Sequence, residues 1–166
     1  MSQVKEAVLQ ASGLTCALCA KSIFTNLSSL PFVANVDTDL NTSSFLISFK
    51  QDSQVDPQLL RKKVEDAGFF ISDLQLKVDV KNKSLGADSF LKESGMYYHI
   101  VSGKNENFNG MLTIQVIEKE FLTAKAFKKF SASIDLKCFQ TPGVADCQVP
   151  SATDIGLPVI HVRVIK

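Results

Sequence analysis

Two thiols three residues apart are the part of this sequence whose type and spacing carry chemistry: Cys16 and Cys19, in Gly13-Leu14-Thr15-Cys16-Ala17-Leu18-Cys19. A half-apolar run from Val4 to Ala11 precedes them, and apolar residues spaced three and four apart follow, so both thiols fall at a helix start and can converge on one point. The N–H groups and dipole of a helix N-terminus favour thiolate, the form that ligates metal. Soft thiolates select soft ions: Cu(I) leads, with Zn(II), Cd(II) and Hg(II) as competitors. Two sulfurs suffice for near-linear Cu(I), whereas tetrahedral zinc needs two more ligands, and no His or acidic residue lies close in sequence to supply them. Gly13 leaves the loop free to bend around an ion. Thiol–disulfide exchange uses the same spacing and stands as an alternative; the lack of Trp, and of Pro between the cysteines, weighs against it.

The elements that must position this loop are legible over residues 1–80. Val4 to Ala11 reads as a strand ending at Ser12-Gly13. From Cys16 the period changes, and Cys19, Ile23, Leu27 and Leu30 line one helical face, with Pro31 as the stop. Val36, Thr38 and Leu40 alternate, Asn41-Thr42-Ser43 turns the chain, and Phe45, Ile47 and Phe49 alternate back, which predicts a hairpin with one buried face. A second helix has Asp56 as N-cap, Pro57 in its first position and Gly68 after Ala67; Leu59, Leu60 and Val64 form its apolar stripe. Leu74, Leu76, Val78 and Val80 then alternate as a fourth strand. The order β-α-β-β-α-β predicts a ferredoxin-like sandwich of class α+β, with two helices on one face of a four-stranded antiparallel sheet.

These residues resemble the heavy-metal-associated (HMA) domain of copper chaperones, mercury-binding proteins and the amino termini of metal pumps. The resemblance covers about residues 3–79: Gly-x-Thr-Cys-x-x-Cys follows the first strand, and Glu65-Asp66-Ala67-Gly68-Phe69 closes the second helix. It implies that Cys16 and Cys19 both bind the metal, that Gly13 and Thr15 shape the loop, and that the partner is a metal-transporting ATPase or another acceptor protein. Leu14 stands where the family usually has Met, a packing residue. Phe69 stands where many members carry Lys or Tyr near the metal. The resemblance therefore implies a metallochaperone-like carrier or scavenger rather than an enzyme; the alternative is a metal-sensing or docking module that acts through the rest of the chain.

Residues 81–93 are polar and aperiodic and read as a linker. Beyond them, residues 94–166 are expected to form a small β-rich unit, a partly closed barrel, with strands at Tyr98–Ile100, Leu112–Val116, Ile134–Cys138 and Pro158–Ile165. A short helix over Phe121–Phe130 presents Lys125, Lys128 and Lys129 outward. The pairing of a metal-binding module with a β-rich unit is similar to bacterial proteins of that layout, notably exported ones. Cys138 falls on a strand's apolar period, which favours a core thiol; a Cys138–Cys147 disulfide fits an exported protein, and His99 or His161 offers a remote chance of a second metal site. His161 reads more simply as a surface or edge residue, and neither His has an acidic neighbour in sequence.

Composition sets the outer limits. The 166 residues carry 18 Lys plus Arg against 17 Asp plus Glu, a formal charge of +1. Affinity for nucleic acid or an anionic membrane rests on clustered positive charge, which such a balance does not provide. No apolar run reaches the roughly 20 residues of a membrane-spanning helix. The opening Met1-Ser2-Gln3-Val4-Lys5 has no basic stretch followed by an apolar one, so no signal peptide is expected in the chain as written.

Overall fold

The computed structural model describes residues 3–14, 16–93, 95–134 and 157–165. Its elements run β1 (Gln3–Ser12), α1 (Ala17–Ser28), β2 (Val33–Asp39), β3 (Ser44–Phe49), α2 (Pro57–Asp66), β4 (Phe70–Leu85), β5 (Ser89–Glu93), β6 (Met96–Ile100), β7 (Glu106–Val116), a 3-10 turn (Lys119–Phe121), α3 (Ala124–Ser133) and β8 (Val159–Ile165). The first six elements follow the predicted β-α-β-β-α-β order. Their strands stand β2-β3-β1-β4, every pair antiparallel. Alternation along β1 and β4 sends Val4, Ala7, Leu9, Leu74, Leu76, Val78 and Val80 into the core, where Ile23 and Leu27 of α1 and Leu60 and Val64 of α2 meet them. The Asn26 amide of α1 donates to the Lys63 carbonyl of α2 at 3.1 Å, tying the two helices together.

Both ends of α2 form as the sequence predicts. The Asp56 carboxylate accepts from the Gln58 N–H at 2.9 Å, and Pro57 opens the helix. Gly68, at φ +89°, takes the left-handed turn that lets the Phe69 N–H reach the Val64 carbonyl. Two apolar expectations fail. Thr38 and Leu40 are exposed although they alternate with buried Val36: Thr38 lies near the end of β2, and Leu40 beyond it in the turn to β3. Leu59 sits on the flank of α2's buried stripe and is partly in solvent.

Residues 81–93, expected as a linker, are strand over most of their length. β4 does not stop at Val80: it crosses an irregularity at Asn82, whose φ is +47°, and continues to Leu85, after which the Gly86–Asp88 turn leads straight into β5. Polarity misleads here because Lys81, Asn82, Lys83 and Ser84 are exposed, and their backbone still pairs with β7 through Lys83–Phe108 and Ser84–Asn107. In place of a separate barrel, the later strands extend the first sheet into one open eight-stranded ladder, β2-β3-β1-β4-β7-β8-β6-β5. One ladder is parallel, β6 against β8; the others are antiparallel. The main core is continuous along this sheet, from Phe45 and Ile47 at one side to Tyr98, Ile100 and Ile160 at the other.

A smaller core lies between Val101, Ile117, Leu122 and Ile134, with Ala126, Phe127 and Phe130 of α3 packed against it. Lys125, Lys128 and Lys129 lie on the exposed side of α3, as expected. The strand expected over Ile134–Cys138 lies outside the described residues beyond Ile134, which ends α3. Cys147 is likewise outside them.

Candidate metal centre

The Cys-x-x-Cys loop is held between two fixed points. On one side β1 ends at Ser12, which pairs with Phe70 at the start of β4 and whose hydroxyl donates to the Phe70 carbonyl at 3.3 Å. On the other side α1 begins at Ala17. Gly13 makes the corner at φ +76°, a conformation that costs a residue bearing Cβ but not glycine. Leu14 packs its side chain on the core, as the Met-to-Leu substitution leads one to expect. Phe69 packs there too. Thr15 lies outside the described residues.

Cys16 is the N-cap of α1. Its backbone is extended (φ −147°, ψ 159°), and its sulfur accepts the Cys19 N–H at 3.3 Å, the contact a serine hydroxyl makes in the commonest helix caps. The Cys16 carbonyl receives the Ala20 N–H, so the first helical turn closes immediately behind it. One turn along, the Cys19 side chain returns to the same point, and the two Sγ atoms share a hydrogen bond at 2.6 Å. The sequence expectation that these thiols converge is met in this geometry. Cys16 is exposed and Cys19 half-buried, and Leu18 between them is 77% exposed.

That geometry splits the two thiols electrostatically. The hydrogen bond from the Cys19 thiol, and then that from the Cys19 N–H, holds the Cys16 thiol below the ordinary value. The hydrogen bond to the Cys16 sulfur pushes Cys19 up, with burial adding to the rise. The shared contact thus favours ionisation of Cys16 over that of Cys19. The first turn of α1 contains no acidic residue that would neutralise the positive end of the helix dipole. Among the described residues no group of three or more His, Cys, Asp and Glu side chains is arranged to hold a metal ion, so the thiol pair stands without a described third ligand.

The histidines lie elsewhere, and the sequence reading of both needs correction. His161 is buried rather than at a surface or edge, because β8 is flanked on both sides by β7 and β6. Each histidine has a carboxylate partner: His99 Nε2 meets Asp88 Oδ1 at 2.7 Å, and His161 Nδ1 meets Glu118 Oε1 at 2.7 Å. Local sequence carried no signal of these pairs, which are separated by 11 and 43 positions and formed by sheet topology.

A family model described as heavy-metal-associated domain matches residues 8–70. The chain is 32% identical over 80 residues to a probable copper-exporting P-type ATPase of Archaeoglobus fulgidus, covering 48% of this chain and 10% of that protein. It is 26% identical over 87 residues to a copper-exporting P-type ATPase of Bacillus subtilis, covering 52% and 11%. The chain thus spans about a tenth of the length of these curated relatives. Among solved structures it is similar to the yeast copper transporter domain CCC2A, studied in apo and Cu(I)-loaded states, with 31% identity, coverage of 39% of this chain and 88% of that one, and a TM-score of 0.36.

Proposed function

We propose, on the premise that residues 8–70 are a heavy-metal-associated domain, that this chain binds a soft metal ion, Cu(I) foremost, through Cys16 and Cys19 and carries or sequesters it. The observation that carries this reading is the meeting of two sulfurs at the start of α1, one already biased toward thiolate. The copper-handling names of the relatives point to the same ion. Zn(II), Cd(II) and Hg(II) remain competitors for the pair, since thiolate ligands suit each of them.

Cys16 and Cys19 hold the cargo, and Gly13 with the first turn of α1 holds the cysteines. The exposed Cys16 is the side from which an acceptor's thiol approaches. An ion held by two sulfurs accepts a third, so transfer proceeds by exchange of one thiolate at a time, to an acceptor protein such as a metal-transporting ATPase. Thiol–disulfide exchange is the lesser alternative, and reduction of insulin disulfides is the assay that detects it. A second reading, in which the metal site reports to a partner through the later strands, draws on β4, which pairs with β1 on one side and with β7 on the other.

The test is an anaerobic Cu(I) titration of the reduced protein against a chromophoric competitor. The expected result is one equivalent bound more tightly than about micromolar, a free energy beyond roughly −8 kcal/mol, and lost in Cys16→Ser/Cys19→Ser. Retained affinity in Cys19→Ser overturns the assignment.

A further inference from the structure

His99 on β6 and His161 on β8 are register partners on adjacent parallel strands, and their rings lie 5.3 Å apart, edge to face. Both residues are almost fully buried. Each ring is tied to a carboxylate on a different element. Asp88 comes from the turn between β4 and β5, where its own backbone sits at φ +67° and its N–H donates to the Ile100 carbonyl at 2.7 Å. Glu118 comes from the chain just beyond β7, and one of its oxygens takes both the His161 ring N–H and the His161 backbone N–H, at 2.7 and 2.9 Å. From β5 the Phe90 ring stacks on His99, centroids 4.4 Å apart and planes within 10°.

The sheet gives this cluster a mechanical place. β6 is hydrogen-bonded to β5 on one side and β8 on the other, and β5 ends the ladder. Among the described residues the β5–β6 hairpin is hydrogen-bonded to the rest of the sheet through β8, along the seam of Tyr97–Ile100 against Val159–Val162, while its Leu91, Met96, Tyr98 and Ile100 side chains pack into the main core. The two histidines face each other across that seam, and their carboxylates fasten the loops at either side of it. We propose that His99, His161, Asp88 and Glu118 form a proton-operated catch, which holds the β5–β6 hairpin to the sheet at neutral pH and loosens it in acid.

The chemistry follows from counting protons. Ionised carboxylates only accept, so His99 carries its proton on Nε2 and His161 on Nδ1, and each neutral ring already gives its single N–H to a carboxylate. A further proton on either ring puts a charge into a buried place. The first such charge is offset by Asp88 and Glu118. A second would meet the first across 5.3 Å, so the two rings repel once both are charged. Burial lowers the proton affinity of His99, with the Asp88 hydrogen bond restoring part of it and His161 opposing it again. Among the described residues the other charged neighbours are already engaged: Arg163, two residues beyond His161, donates to Gln115 and lies over the Phe130 ring, and Lys92 lies over Tyr97. A detached hairpin lets His99 take up a proton below about pH 6.5, the ordinary imidazole value, more readily than the closed seam does. Acid therefore favours the open form.

Hydrogen exchange read by mass spectrometry on the full chain, at pH 7.5 and 5.0 and corrected for the intrinsic pH dependence of exchange, tests the catch. Protection over residues 89–101 is expected to fall at least about tenfold at the lower pH relative to β1 and β3 in the same sample. In His99→Gln, whose amide still donates to Asp88 but does not titrate, that relative fall is expected to shrink to less than threefold, and His161→Gln is expected to do the same. No fall in the wild type, or an equal fall in both variants, overturns the proposal. Should a variant fail to fold, the wild-type ring signals followed by NMR decide the matter. Coupled titration with the hairpin amides moving on the same curve supports the catch, and independent titration with those amides unmoved refutes it.

Discussion

Gly86 offers a test whose sign, and not merely its size, depends on the packing described above. It opens the turn between β4 and β5, where its N–H donates to the Ser89 hydroxyl at 3.0 Å and its carbonyl receives the Ser89 N–H at 3.0 Å. A Cβ at this position would lie 2.7 Å from the Asn105 Cα, 2.8 Å from the Asn105 nitrogen and 3.1 Å from the Lys104 carbonyl carbon. All three are backbone atoms, which cannot rotate aside. Gly86→Ala restricts the unfolded chain, and at a roomy site that would stabilise by about 0.4–1 kcal/mol. Here it must also force apart two backbone segments, at about 1–3 kcal/mol for overpacking of this kind. The second effect wins, leaving a net loss of about 1–2 kcal/mol, which for a chain of this size corresponds to a fall in Tm of about 2–8 °C. Calorimetry or a melt followed by circular dichroism measures it. Gly86 is just past the far end of β4 from Phe70, about 50 Å away along the strand at the usual rise per residue, so Cu(I) affinity should be unchanged. A Tm equal to or above that of the parent refutes the reasoning, because it means the Asn105 backbone gives way.

Cys16→Ser should leave Tm within about 2 °C of the parent while removing tight Cu(I) binding, since serine is itself a favoured N-cap; a large loss of stability would make Cys16 a structural residue first. Iodoacetamide should alkylate Cys16 at lower pH than Cys19, because thiolate is the nucleophile and the shared hydrogen bond moves Cys16 below and Cys19 above the ordinary value of 9.0; coincident rate profiles, or the reverse order, contradict the geometry at the loop. Tyr98 is fully buried and among the described residues its hydroxyl has no hydrogen-bond partner, so Tyr98→Phe should stabilise by about 1 kcal/mol in a urea titration. A loss of similar size would show that the hydroxyl is bonded in solution.

The Cys-x-x-Cys loop and its four supporting strands were legible because everything that specifies them is local. A period change at Cys16, an Asp-Pro helix start and a glycine after Ala67 each act over three or four residues, and each was found where the sequence put it. The later strands are individually recognisable too, as the alternation in Leu112, Ile114 and Val116 shows. Their arrangement was not legible. Whether Lys83 and Ser84 are linker or strand depends on β7 arriving beside them, and nothing in their polarity records it. The burial of His161 depends in the same way on which strands flank β8, and its partner Glu118 lies 43 positions earlier. Leu40 erred in the other direction: its alternation with Val36 was regular, but β2 ends at Asp39 and Leu40 falls in the exposed turn beyond it.

The position of β8 dictates an order of assembly. The ladders among β1, β3 and β4 close with residues up to Asp79, so the Cys-x-x-Cys loop can be fixed in place while the remainder is still being synthesised. The other side of the sheet cannot be completed so early. β8 comes last among the described elements, yet it lies between β7 and β6. Among the described elements, the β5–β6 hairpin has no strand other than β8 through which to join the growing sheet, and until residues 159–165 emerge β7 presents an open edge. Long-range and parallel pairings are slow to form, and unpaired edges are where chains aggregate. The interval between completion of the Cys-x-x-Cys loop and insertion of β8 is thus one in which the described sheet has an unpaired edge, and a stop codon or cleavage before residue 159 would prolong it indefinitely.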